Sequence, residues 1–124
     1  MNYLADMISR IRVAIKKRAS FVIIAYNKEC ARILTKMHID GYISHLTIND
    51  REIKIIFNYK HNMVAIRELK ILSTPGLKQY ISAARLKEHQ CHFYEIYIMT
   101  NIGLLNRAEA IAANKGGIAL LSIR

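Results

Sequence analysis

Apolar residues recur at Leu4, Met7, Ile8, Ile11 and Ile15. That spacing gathers one stripe on an amphipathic helix over residues 3–17, with Arg10 and Lys17 pointing elsewhere. The β-branched run Phe21-Val22-Ile23-Ile24 predicts a short buried strand. Asn27 is suited to cap a second helix, and Glu29 is favourable in its first turn. Cys30, Ile33, Leu34 and Met37 form that helix's stripe, and Asp40-Gly41 ends it. Two alternating runs follow, Tyr42 to Ile48 and Glu52 to Tyr59. They are joined by Asn49-Asp50-Arg51 and read as a β-hairpin.

The second half has a different texture. Ile66 to Leu72 alternates like a strand, and Ser73-Thr74-Pro75-Gly76 has the residues of a tight turn. Tyr80-Ile81 suits a short strand, and residues 83–90 read as a polar connection with room for one helical turn. Phe93 to Thr100 is a further strand, followed by an Asn101-Ile102-Gly103 turn. A short helix from Asn106 to Ala113 stops at Asn114-Lys115-Gly116-Gly117, and Ile118 to Ile123 closes the chain as a strand. The expected class is α+β in two small α/β halves. Residues 1–62 form an α-β-α-β-β half, and residues 63–124 form a mostly β half with a short helix.

Composition narrows the function. The chain has 124 residues, enough for one domain or two tightly packed halves. It is 52% hydrophobic with a single Pro, which excludes a disordered tail or a long linker. Its longest strongly apolar run, Phe21 to Tyr26, falls far short of the about 20 residues a membrane helix needs. No membrane partner is therefore expected. The first residues lack the charged start and apolar stretch of a secretion signal, and Asp6 is out of place in a transit peptide. Cys30 and Cys91 lie far apart, so their pairing stays open, and two free thiols are the plain expectation.

Nineteen Lys and Arg face nine Asp and Glu, a net charge of +10. A small domain this basic most often neutralises a polyanion, nucleic acid before an anionic membrane. Arg10, Arg12, Lys16, Lys17 and Arg18 crowd the first helix and its exit. Solvated faces account for such charges in a neutral protein; at +10 a distributed phosphate footprint is favoured. The turns Thr74–Lys78 and Thr100–Gly103 set hydroxyl or amide groups beside open backbone, which suits sugar edges and 2′-hydroxyls, although either alone is simply a turn. His89-Gln90-Cys91-His92 lacks a fourth ligand at a plausible spacing and reads as a polar loop, so no metal and no cofactor is expected. The acids are scattered, and no phosphate-binding glycine loop, nucleophile elbow or H-E-x-x-H helix occurs. The chain is not expected to be an enzyme or to take a small-molecule substrate.

Four blocks in order carry a family likeness. Leu4-Ala5-Asp6-Met7-Ile8-Ser9-Arg10-Ile11-Arg12 resembles the opening I-A-D-M-L-T-R-I-R-N of small-subunit ribosomal protein eight, bacterial type. Asp40-Gly41-Tyr42-Ile43 is similar to its E-G-Y/F-I, and Ile71 through Tyr80 to its I-S-K/R-P-G-L-R-x-Y. Gly103, Glu109-Ala110 and Gly116-Gly117 keep the spacing of its last motif, S-T-S-K-G through E-A to G-G.

The resemblance implies a non-enzymatic protein of two α/β halves. Such a protein binds the central domain of small-subunit ribosomal RNA, aids its assembly beside neighbouring ribosomal proteins, and in bacterial members also binds messenger RNA. It assigns RNA contacts to Arg12, to Asn27 and Lys28, to Pro75, Gly76, Lys78 and Tyr80, and to Thr100 and Gly103, with Asn101 standing for a family Ser. The turn from Thr100 is expected to serve recognition more than folding. Departures are Val13 for a family Asn, Ile102 for a Lys and Ile118 for an acid. With the abundance of Ile, they point to a mitochondrial ribosome ahead of a plastid or the bacterial cytoplasm. The rival class is a small basic nucleic-acid-processing enzyme or RNA-binding regulator, for which paired carboxylates beside a basic groove would speak.

Overall fold

The structure, a computed structural model, describes residues 3–60, 63–74, 76–88 and 95–124. It is α+β, with helices and antiparallel sheets in two compact units, Met1–Arg67 and Glu68–Arg124. The first unit runs through Arg67: the short strands Tyr59–Lys60 and Met63–Val64 pair with each other, and the Ala65 amide donates to the Asn58 carbonyl at 2.9 Å.

In the first unit, α1 (Tyr3–Lys16) and α2 (Lys28–Ile39) pack on one face of a sheet ordered β1-β3-β2, with β1 at Phe21–Ala25, β2 at Ile43–Ile48 and β3 at Glu52–Phe57. Met7, Ile8 and Ile11 of α1, Ile33, Leu34 and Met37 of α2, and Ile53 and Ile55 of β3 are all buried. Each such burial contributes roughly 1.5–3 kcal/mol. Arg18 (φ 56) closes α1 in the left-handed region, where the Ala19 amide reaches the Ala14 carbonyl at 2.9 Å. Gly41 closes the turn after α2 at φ 92. The strand expected to be buried at Phe21–Ile24 is instead half-open. Only Ile24 is fully covered; Phe21 and Ile23 are 47% and 40% exposed, because β1 is an edge strand with helices on one face only. The long strand expected to reach Tyr59 breaks at Asn58, whose side-chain amide donates to the Gly41 carbonyl at 3.2 Å. The chain then forms β4 (Tyr59–Lys60) and β5 (Met63–Val64).

The second unit is built on β10 (Gly117–Ile123), which pairs with β6 (Leu69–Ile71), β7 (Tyr80–Ile81) and β8 (Glu95–Thr100). Outside β8 lies β9 (Gly103–Asn106), paired from Tyr97↔Asn106 to Thr100↔Gly103. The polar connection at 83–90 turns out to hold α3 (Ala83–Glu88), whose Leu86 is fully buried beside Ile96, Ile98, Ala110 and Ala119. Ala83 and Leu86 are buried beside Arg85 and Lys87, too short a run to read as a helical stripe, yet Leu86 anchors this core. Asn106 and Glu109 form a reciprocal capping box at the start of α4 (Arg107–Ala113), and Asn114 ends that helix at φ 52.

Candidate nucleic-acid interface

On the first unit the cations stand where the apolar stripe leaves α1 free. Arg10, Arg12, Lys16, Lys17 and Arg18 are exposed. Arg10 Nε meets the Asp6 carboxylate at 3.2 Å with both side chains more than half exposed, so this pair adds little to stability. Lys28 opens α2 and is exposed. Asn27 is half-buried, and its side-chain oxygen caps α2, accepting from the amides of Glu29 at 3.1 Å and Cys30 at 3.2 Å. Its carbonyl oxygen therefore has a folding role, and only its amide nitrogen is left for a ligand.

On the second unit, Pro75 lies outside the described residues. The described residues on either side are tied down. Thr74 and Leu77 exchange backbone hydrogen bonds, and Ser73, buried, donates its hydroxyl to the Ala119 carbonyl while accepting from the Gln79 amide at 2.9 Å. Gly76, Lys78 and Tyr80 are exposed, Tyr80 by 71%.

The β8–β9 turn divides its polar groups between the hairpin and the surface. Thr100 is only 8% exposed, and its hydroxyl points inward, donating to the Gly103 carbonyl at 2.8 Å and accepting from the Ile102 amide at 3.2 Å. A hydroxyl spent on its own hairpin is not displayed at the tip. Asn101 and Ile102 are displayed, Ile102 by 59%. Gly103 has φ 130, and nothing crowds the place of a side chain there, so the positive φ is what demands glycine.

The sheet brings these two segments together, for Ile118 pairs with Tyr80 on one side and Met99 on the other. Two strand spacings, roughly 10 Å, therefore separate the Tyr80 and Met99 backbones at the opening end of β10. Gly116 and Gly117 make that approach possible. A Cβ on Gly117 would lie 2.1 Å from the Met99 carbonyl oxygen, and one on Gly116 would lie 2.6 Å from that of Ile81. In the sequence the Gly-Gly pair reads as a helix stop and as the end of the last family motif; its place as the seam between the two loops rests on strand pairing that residue order does not reveal.

Cys30 is no candidate nucleophile. Burial, with the Glu29 and Asp6 carboxylates nearby, pushes its thiol up to about 11. The His89–His92 cluster and Cys91 lie outside the described residues. Among the described residues no three His, Cys, Asp or Glu side chains gather to hold a metal ion, and no helix is long and apolar enough to cross a membrane.

Residues 2–123 match the family model of Ribosomal protein S8. Small ribosomal subunit protein uS8 of Mycoplasmopsis agalactiae is 32% identical over 124 residues, covering 97% of this chain and 95% of that protein. Small ribosomal subunit protein uS8m of Acanthamoeba castellanii is 31% identical over 126 residues, covering 99% of each. The uS8 of Metamycoplasma arthritidis is 36% identical over 123 residues, covering 92% of this chain and 90% of its own length. With a match that runs through every element of both units, the chain belongs to the ribosomal protein S8 family.

Proposed function

We propose that this chain is a structural constituent of a mitochondrial small ribosomal subunit, where it binds the central domain of the small-subunit RNA beside neighbouring ribosomal proteins. The observation that carries the reading is the family match over almost the whole chain, in a family of structural ribosomal proteins rather than enzymes. The charge of +10 supports a phosphate-dominated contact. In the second unit, Lys78 meets phosphate, the Tyr80 ring offers a stacking surface, and Asn101 supplies donors and an acceptor to base edges and 2′-hydroxyls. Gly76 and Gly103 keep the backbone of the two segments low enough for close approach. In the first unit, Arg12 and Lys28 meet phosphates, and the free amide of Asn27 adds a donor. The mitochondrial placement rests on the Ile-rich composition and on likeness to a uS8m as well as to bacterial uS8 proteins.

The test is fractionation. Organelles and cytosol from cells expressing the tagged chain are run on sucrose gradients. Co-sedimentation with mitochondrial small subunits is expected, and a chain confined to cytosolic or ribosome-free fractions overturns the reading. Purified chain is then titrated with central-domain RNA at two salt concentrations. Affinity should drop steeply as salt rises, and a flat response would exclude a phosphate-dominated interface.

A further inference from the structure

The strand β1 is an open edge. The Phe57 amide donates to the Ser20 carbonyl at 3.1 Å and the Tyr26 amide to the Arg51 carbonyl at 2.9 Å, so the even-numbered residues of this stretch face β3. By the two-residue period, the amides and carbonyls of Phe21, Ile23 and Ala25 face the other way, and no described strand pairs with that side. Three of the usual protections of an edge are absent from the strand itself. Phe21–Ala25 has no charge and no Pro, and its pairing with β3 runs without a shift. The opposite edge, β2, is interrupted between Ile43 and His45. Two further features flank β1. On the sheet's uncovered face stand Phe21 and Ile23, 47% and 40% exposed, with Lys54 Nζ 4.7 Å from the Phe21 ring centre. On the helical side runs a groove of about 420 Å³ walled by Val13, Ala14, Ala19 and Val22 and flanked by Arg10 and Lys17.

We infer that β1 accepts an extended segment of a neighbouring protein as a fourth strand, one with alternating apolar side chains and acidic flanks. A row of outward amides and carbonyls is matched by another peptide backbone at strand spacing; RNA has no such ladder. The alternation of an added strand sends its side chains to both sides of the edge, towards the Val13 groove and towards Phe21 and Ile23. Lys17, with Arg10 shared with Asp6, favours carboxylates beside the groove-facing residues, and Lys54 favours them on the open face. Ribose and phosphate would leave 2′-hydroxyls facing these apolar walls without partners. The inference rests on the ribosomal reading only for where the partner is found.

The test places a photoreactive p-benzoylphenylalanine at Phe21 of the full chain, which is assembled into small subunits, irradiated and digested for mass spectrometry. The expected product is a cross-link to an alternating, acid-flanked segment of another subunit protein. It should be lost in Ile23→Pro, which removes an outward amide and leaves the β3 bonds intact, and in Ile23→Lys, a second variant that keeps every backbone donor. Both variants should still sediment with the subunit. Cross-links to RNA or to a second copy of this chain, no cross-link, or one that survives both variants would overturn the inference while sedimentation still upholds the ribosomal reading. A chain that does not sediment with subunits would sink both.

Discussion

Replacing Thr100 separates what its hairpin does for folding from what it does for binding. The hydroxyl makes two hydrogen bonds inside a turn that is 8% exposed at this residue. Each is worth a net 0.5–1.5 kcal/mol or so, which gives a loss of about 1–3 kcal/mol for Thr100→Val, a change that keeps the shape and removes the hydroxyl. Thr100→Ser keeps both bonds and gives up one methyl group, so it should cost about 1 kcal/mol or less. Urea unfolding followed by far-UV circular dichroism reads the difference. The midpoint of the valine variant should fall with an unchanged slope, since the surface exposed on unfolding is the same. Asn101→Ala is the counterpart. Asn101 is exposed at the tip, so its loss should move stability by no more than about 0.5 kcal/mol while weakening central-domain RNA binding by roughly 1 kcal/mol. If Thr100→Val unfolds at the wild-type urea concentration, the inward hydroxyl is not holding the turn, and the division of labour between these two neighbours is wrong.

Gly117→Ala should be among the most damaging single changes, about 4 kcal/mol or more, because the new methyl meets the Met99 backbone rather than a side chain able to swing aside; a normal thermal transition would contradict this. Asn27→Ala should cost about 0.5–2 kcal/mol through loss of the α2 cap, whereas Asn27→Asp should keep the cap and lose RNA affinity; equal stability of the two in urea would refute the capping role. The Cys30 thiol is raised from 9.0 to about 11, so the folded chain holds its proton where the unfolded chain releases it. Its contribution is therefore fully present below about pH 9 and lost as pH rises towards 11, so the melting temperature should fall more steeply with pH across that range than it does in Cys30→Ala, and parallel curves would refute this.

What was legible in the sequence is local. The stripe of α1, the Asn27 cap, the Gly41 turn and the hairpin around Asn49 each need only a few neighbouring residues to be read, and the structure places all four as expected. What escaped is pairwise or solitary. Residues Phe21 to Ile24 look buried because they are β-branched and apolar, but whether a strand is central or at an edge depends on who lies beside it. Leu86 is hidden among charges, since two buried side chains, Ala83 and Leu86, on a six-residue helix are too few to show a period. Thr100 reads as a displayed group because the sequence of a turn does not say which way a hydroxyl rotates. Thr100 reaches back across its own hairpin to Gly103, a pairing visible only once β8 and β9 are side by side.

That inward rotation bears on how a non-enzymatic chain gains affinity. Binding costs whatever freedom the contact groups lose, and a flexible tip bearing Asn101 and Ile102 would lose it on meeting RNA. Here the freedom is already gone. The Thr100 hydroxyl ties the Ile102 amide and the Gly103 carbonyl, Gly103 holds φ 130, and Gly117 locks Met99 against β10. On the far side of β10, Ser73 fixes Gln79 and with it the approach of Tyr80. In both segments an inward-bonding hydroxyl, that of Thr100 or of Ser73, thus anchors backbone beside the exposed groups. A variant that frees the turn without touching its exposed groups, such as Thr100→Val, should therefore weaken RNA binding chiefly through entropy. The van't Hoff analysis of its affinity should show an enthalpy close to wild type, and an equal loss in enthalpy would mean that Thr100 touches the RNA itself.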